Sequence, residues 1–190
     1  MSGPGPGRPG PAPQRPRLVF LVVGLFVAAG LGVGLFTSIG APKQVVPTAG
    51  SPAPSFSLAS LTGAGPVVMP ASGGGNGRSA VLIFFASWCG PCHAEMPALA
   101  GAFRGQTPSS RVPVIGVDGM DPVSSALAFV RSSGVTFPVA KDPDYKVTEG
   151  LYGFDGDPDA VFIDSDGTIA RIVHGPITAS QLVNWERDLR

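Results

Sequence analysis

The sequence is poor in cysteine and in charge, and each shortage closes off a class of function. Cys89 and Cys92 are the only thiols in 190 residues, and only two histidines accompany them, so a structural zinc site is not expected. The loop this pair could close is so short that chain entropy gives its cross-link only ~2 kcal/mol, which argues against a structural staple. Lys plus Arg and Asp plus Glu balance at 13 each, leaving no basic excess for nucleic acid or another acidic partner. The glycine-rich stretch 71–78 lacks a Gly-Lys-Ser/Thr ending and leads into a strand-like run, so it reads as a flexible loop and not as a phosphate cradle.

Charge is missing altogether from residues 18–36, a run of 19 residues without a strongly polar side chain. As a helix it reaches ~28 Å, close to the ~30 Å of a bilayer core, and its four glycines are compatible with a membrane helix. Ser38 and Gly40 also fit a signal-peptide cleavage site, but the apolar region exceeds the ~7–15 residues usual for that role, so a transmembrane anchor is expected. Arg8, Arg15 and Arg17 precede the run and only Lys43 follows closely, which orients the N-terminus to the cytoplasm and everything after Phe36 to the outside. No cysteine follows the run closely, which excludes a lipoprotein anchor. Residues 1–17 have the composition of a disordered cytoplasmic tail, 37–51 that of a Pro- and Gly-containing linker, and 52–190 that of a packed domain.

Within that domain, residues 55–61 alternate polar and apolar and 67–69 offer a hairpin partner. Residues 79–85 are almost wholly apolar, as in a central strand covered on both faces. Helical spacing follows over 92–103, where Pro97 is expected to introduce a kink. The pattern then predicts a strand over 112–117, a helix over 121–132, a short strand over 137–140 and a short helix over 145–152. A hairpin of 160–163 and 168–173 turns on Asp166-Gly167, and Thr178 caps a last amphipathic helix carrying Leu182, Trp185 and Leu189. Strands alternating with helices imply an α/β domain with a partly parallel sheet, which the terminal hairpin makes mixed.

The chemistry-bearing stretch is Trp88, Cys89, Gly90, Pro91, Cys92, His93, at the junction of the apolar run and the first helix. Two sulfurs on a first helical turn meet unpaired N–H groups and the positive end of the macrodipole, which favour a thiolate and suit reversible dithiol chemistry. The same string is also Cys-x-x-Cys-His, the attachment signature of c-type haem, with His93 as a candidate axial ligand. Asp155, Asp157 and Asp159 alternate like the start of a calcium loop, although Ala160 replaces the required glycine.

From Ala53 onward the chain resembles the TlpA/ResA-like branch of the thioredoxin superfamily, membrane-tethered thiol-disulfide oxidoreductases. The resemblance rests on Ala53-Pro54-Ser55-Phe56-Ser57-Leu58, on Phe84 to Cys92, on Glu95 and Pro97, on Phe137-Pro138-Val139 and Tyr152-Gly153, and on Gly156-Asp157-Pro158 followed by Phe162-Ile163-Asp164. It implies a thioredoxin-like mixed sheet flanked by helices and preceded by a β-hairpin, and it makes Pro158 the cis-proline that faces the cysteines. It also implies Cys89 as an exposed nucleophile and Cys92 as the resolving thiol.

Trp88 is expected to shield the disulfide or simply to pack, and Gly90 and Pro91 to set the geometry of the turn. Ile83 stands where cytosolic relatives carry a buried Asp, and Glu95 supplies the nearby carboxylate, either as a proton relay or as a solvated acid. Asp157 is either a thiolate-disfavouring neighbour of Cys89 or a solvent-facing turn residue.

The implied activity is protein disulfide reduction. Its partners are protein thiols and disulfides, apocytochrome c among them, and a membrane thiol-disulfide electron donor. No cofactor or metal is expected beyond the disulfide itself. An oxidant of the same fold and a tethered binding or chaperone module are the alternatives, while Ala86 sits where a peroxidase of this fold would carry threonine.

Overall fold

The structure, a computed structural model, describes residues 46–63, 65–70 and 77–190. The expected tail, the 18–36 run, residues 37–45 of the expected linker and residues 71–76 of the glycine-rich loop lie outside the described residues. No helix among the described residues is long and apolar enough to cross a membrane.

The element that organises the domain is β3 (Ala80–Phe85), six buried residues in a row. Side chains alternate across a strand, and here the alternation feeds two cores. Val81, Ile83 and Phe85 enter one cluster, and Leu82 and Phe84 the other. The first cluster gathers Met96, Leu99 and Phe103 of α1 (Gly90–Gly105), Phe129 and Val130 of α2 (Val123–Ser132), and Leu182 of α3 (Ala179–Arg187). The second gathers Phe56, Val67 and Met69 from the hairpin of β1 (Phe56–Ala59) and β2 (Pro66–Met69), together with Tyr152 and Phe154. Phe84 meets both of those rings, at centroid separations of 5.1 and 5.0 Å.

The five-stranded sheet runs β5-β4-β3-β6-β7, with β4 (Val114–Gly119), β5 (Val139–Asp142), β6 (Asp159–Ile163) and β7 (Ile169–His174). The pairs β3–β4 and β4–β5 are parallel, and β3–β6 and β6–β7 antiparallel. This is the expected mixed thioredoxin-like sheet with its antiparallel N-terminal hairpin, Phe56 lying opposite Met69.

Several expected boundaries shift for identifiable reasons. The strands expected at 112–117 and 137–140 begin at Val114 and Val139, directly after Pro113 and Pro138, which have no N–H for a ladder. Their carbonyls still accept from Val81 and Gly116, each at 2.9 Å. The helix expected from residue 121 begins at Val123, with Pro122 as an N-cap that makes no side-chain bond. The short helix expected over 145–152 is instead a run of turns. The Asp142 carboxylate there accepts from Val147 N, Thr148 N and Thr148 Oγ1, and the N–H groups of Gly150 and Tyr152 each reach back five residues. Gly150 suits that tight winding, since a Cβ would lie 2.3 Å from the Lys146 carbonyl oxygen. Helix α1 runs through Pro97 without interruption. Thr178 caps α3 as expected, in a reciprocal box with Gln181. Residues 48–51, expected as the end of the linker, are tied to the start of β7 through Gly50 N to Ile169 O (2.8 Å) and Ile169 N to Ser51 O (2.9 Å).

Candidate active site

The buried strand β3 ends at Phe85, and residues 86–89 turn the chain into α1. Cys89 is the N-cap of that helix, in extended backbone, and its Sγ accepts from the Cys92 N–H at 3.2 Å. Cys89 and Cys92 are joined as a disulfide. Gly90 opens the helix and Pro91 lies in its first turn, where a missing N–H is harmless. Cys89 was expected to be exposed; in the disulfide it is only 4% exposed and Cys92 0%. Both sulfurs are folded into the first core cluster, and capping draws Cys89 down onto the helix. Trp88 is 57% exposed, which removes the ordinary-packing reading and leaves its indole on the surface beside the turn.

Asp121 holds this turn from beneath. Its two carboxylate oxygens accept from Ser87 N at 2.5 Å and Ser87 Oγ at 2.8 Å. His93 closes the other side, with Nε2 2.7 Å from the Ser87 carbonyl and its ring 4.6 Å from that of Phe129. The histidine considered above as an axial haem ligand is thus engaged within the fold, and it follows two sulfurs already bonded to each other.

Glu95 lies one turn along α1, buried at 7% exposure, and its Oε2 accepts from Ile177 N at 2.7 Å. Burial pushes its pKa up to about 7, and the Ile177 hydrogen bond opposes the rise. The solvated-acid reading of Glu95 is therefore corrected: it is a buried carboxyl on the wall of a groove of about 360 Å³ that it shares with Pro91, Ala98 and Ile177. Ile83 is buried in the apolar core, with no carboxylate of its own to offer.

The Asp157–Pro158 peptide bond is cis. Asp159 pairs with Phe84 in the antiparallel β3–β6 ladder, so residues 157 and 158 lie beyond it, at the same end of the sheet as the disulfide. Asp157 is not a solvent-facing turn residue. It is half-buried, its Oδ2 accepts from Tyr145 Oη at 2.8 Å, and its Oδ1 is buried without a partner. Burial raises its pKa against the lowering effect of the Tyr145 hydroxyl. Tyr145, at φ 51°, reaches this position because β4 ends in glycine; a Cβ on Gly119 would lie 2.1 Å from the tyrosine ring.

The three alternating aspartates do not converge as a calcium loop. Asp159 pairs with His174 Nδ1 at 2.8 Å while Asp157 faces Tyr145, and no metal-binding group of three or more His, Cys, Asp or Glu occurs among the described residues. Burial pushes Asp159 up to about 6, against His174.

Residues 49–172 match the AhpC/TSA family. Over 173 residues the chain is 30% identical to the thiol-disulfide oxidoreductase ResA of Bacillus thuringiensis, covering 90% of this chain and 96% of that one. The chain belongs to the AhpC/TSA family, among its ResA-like thiol-disulfide oxidoreductases. It is also 37% identical over 102 residues to a thiol:disulfide interchange protein, a DsbE homolog of Paracoccus denitrificans, covering 53% of each chain. A secreted Mycobacterium tuberculosis disulfide oxidoreductase homologous to E. coli DsbE superposes with a TM-score of 0.60 at 26% identity, covering 70% of this chain and 96% of that one.

For a ResA-like oxidoreductase the arrangement has a direct chemical sense. A helix N-terminus is an environment that favours a thiolate, and the buried Glu95 and half-buried Asp157 are carboxyls whose pKa values are raised. Sequence reasoning placed Cys89, Cys92, Glu95, Asp157 and Pro158 here, and missed Ser87, Asp121 and Tyr145, and also Asp118, which the β3–β4 register sets opposite Phe85. One signal for the missed acids was present: Asp118 and Asp121 follow an apolar strand run, and ligand-facing residues gather at the carboxyl ends of parallel strands.

Proposed function

We propose that this ResA-like oxidoreductase is a protein disulfide reductase outside the cytoplasmic membrane. Residues 18–36 serve as its single-pass anchor, and a membrane thiol-disulfide protein serves as its electron donor. Its substrates are protein disulfides, including those of apocytochrome c before haem attachment, and it needs no cofactor beyond the Cys89–Cys92 pair. The observation that carries the reducing direction is Asp157, a half-buried carboxyl held by Tyr145 at the cis-Pro158 wall. A carboxylate facing a nascent thiolate destabilises the dithiol form, and a less stable dithiol is a stronger reductant.

In the forward reaction the Cys89 thiolate attacks one sulfur of the substrate disulfide. A mixed disulfide forms and one substrate thiolate leaves. Cys92 then gives up its proton, for which Glu95 is the nearby buried acceptor, and its thiolate attacks Cys89 Sγ. The Cys89–substrate bond breaks, the second substrate sulfur leaves as a thiolate that takes a proton from Glu95 or solvent, two electrons have passed to the substrate, and the enzyme is left with its disulfide.

The test is the midpoint potential of the full-length protein in detergent, for wild type and Asp157→Thr. The reductase reading expects a value below about −200 mV and a shift to a more oxidising value in the variant. A value near about −120 mV that Asp157→Thr leaves in place establishes the disulfide-introducing alternative instead.

A further inference from the structure

The most deeply enclosed carboxyl among the described residues lies near the end of β4. Asp118 is 0% exposed, and neither of its oxygens has a hydrogen-bond partner. The sheet register sets it beside Phe85 on one side and Lys141 on the other. It therefore lies at the level where β3 releases the chain into the Cys89 turn. Three residues later Asp121, 6% exposed, grips Ser87 through both its N–H and its hydroxyl.

An ionised carboxylate without a donor in such a place is strongly disfavoured. The groups around it make ionisation harder still, since Asp121 and Asp157 are both acids and only Lys141 opposes them. Burial first, then the neighbouring Asp121 carboxyl, push Asp118 up to about 8. The remaining charged neighbours act one step away: Tyr145 donates to Asp157, and Asp142 bears on both. Asp118 is consequently neutral at pH 7. A neutral carboxyl can donate as well as accept, and the acid that bears on it most is Asp121.

We propose that Asp118 is a positioning residue for disulfide exchange: as the neutral partner of Asp121 it supports the Ser87 clamp on the Cys89 turn, and its proton occupancy is tied to whether the cysteines are disulfide or dithiol. The proposal rests on the oxidoreductase activity and is independent of its direction. A thiolate at Cys89 adds negative charge at the far end of the clamp and tightens the hold of the acid pair on its proton. By reciprocity, removing that proton disfavours the thiolate. No electron passes through the pair, and the proton exchanges with solvent.

The test measures the disulfide–dithiol equilibrium of the full-length protein in detergent against a glutathione couple, from pH 6 to pH 9, for wild type and Asp118→Asn. The two coincide at pH 6, where wild-type Asp118 is already neutral. At pH 9 the Asn variant is reduced about fivefold to tenfold more readily, up to about 30 mV, the lower end of site-to-site coupling. Curves separated by a constant amount at every pH overturn the proposal. If the Asn variant does not fold, infrared difference spectra of the wild type at pH 8 replace it. Reduction is expected to change a protonated-carboxyl band, and Ser87→Ala to abolish that change. No such band, or one indifferent to Ser87→Ala, overturns the proposal equally.

Discussion

Replacing Glu95 by Gln should stabilise the protein, and only above a particular pH. Glu95 has an ordinary pKa of 4.5 and one of about 7 in the fold, raised by burial against the Ile177 hydrogen bond. Between those values the native state binds more protons than the unfolded chain, so stability falls as pH rises from 4.5 to 7 and levels off beyond. The ceiling on that loss is about 3 kcal/mol. Because the carboxyl borders a solvent-facing groove, screening reduces it to about 1–2 kcal/mol. Gln keeps an oxygen to accept the Ile177 N–H and carries no charge at any pH. The disulfide form of Glu95→Gln should therefore melt with the wild type at pH 4.5, and above it at pH 8 by about 2–4 °C per kcal/mol for a domain of this size. Thermal unfolding followed by circular dichroism at both pH values decides it. A variant less stable than wild type at pH 8 refutes the reasoning, because it would mean that the ionised carboxylate is the stabilising form. The same variant should flatten the limb of the exchange-rate profile near pH 7; an unmoved profile removes Glu95 from the proton relay.

Other consequences can be checked separately. Gly119→Ala places a Cβ 2.1 Å from the Tyr145 ring, so it should cost about 1–3 kcal/mol in chemical denaturation and loosen the Tyr145–Asp157 bond. Thr178→Ala removes the capping box of α3 and should cost about 1 kcal/mol, measured as a lower melting temperature with exchange kinetics unaltered. Cys92→Ser should trap partner proteins on Cys89 as mixed disulfides; recovery of the same partners with Cys89→Ser in place of Cys92→Ser would reverse the assigned roles.

How much of this could be seen in the sequence depended on how local each cause is. The strand over 79–85, the Asp166-Gly167 turn and the Thr178 cap are set by neighbouring residues, and they appear within a residue or so of where the pattern puts them. The turns over 145–152 are not local. Apolar spacing there fits a helix, yet Asp142 captures the donors that would begin one. Asp121 reads as the start of a helix until its carboxylate is found on Ser87, 34 residues away. Asp118 was missed for a related reason: a charged residue closing an apolar run looks like the end of a strand, whereas β4 carries it into the interior. Cys89 was legible as chemistry but not as burial, because its place as N-cap of α1, with Sγ turned onto the Cys92 N–H, is set by the fold around the turn.

The hydrogen bonds that fasten residues 50 and 51 to Ile169 have a bearing on how the enzyme meets its partners. Ile163, which ends β6, lies opposite Ala80 at the start of β3 and is paired with Ile169. The disulfide stands past the other end of β3. Chain entering the domain is therefore made fast at one pole, and the sulfurs occupy the opposite one. A load on residues 50 and 51 is therefore taken up at the Ile169 end of the sheet, away from the Cys89–Cys92 disulfide.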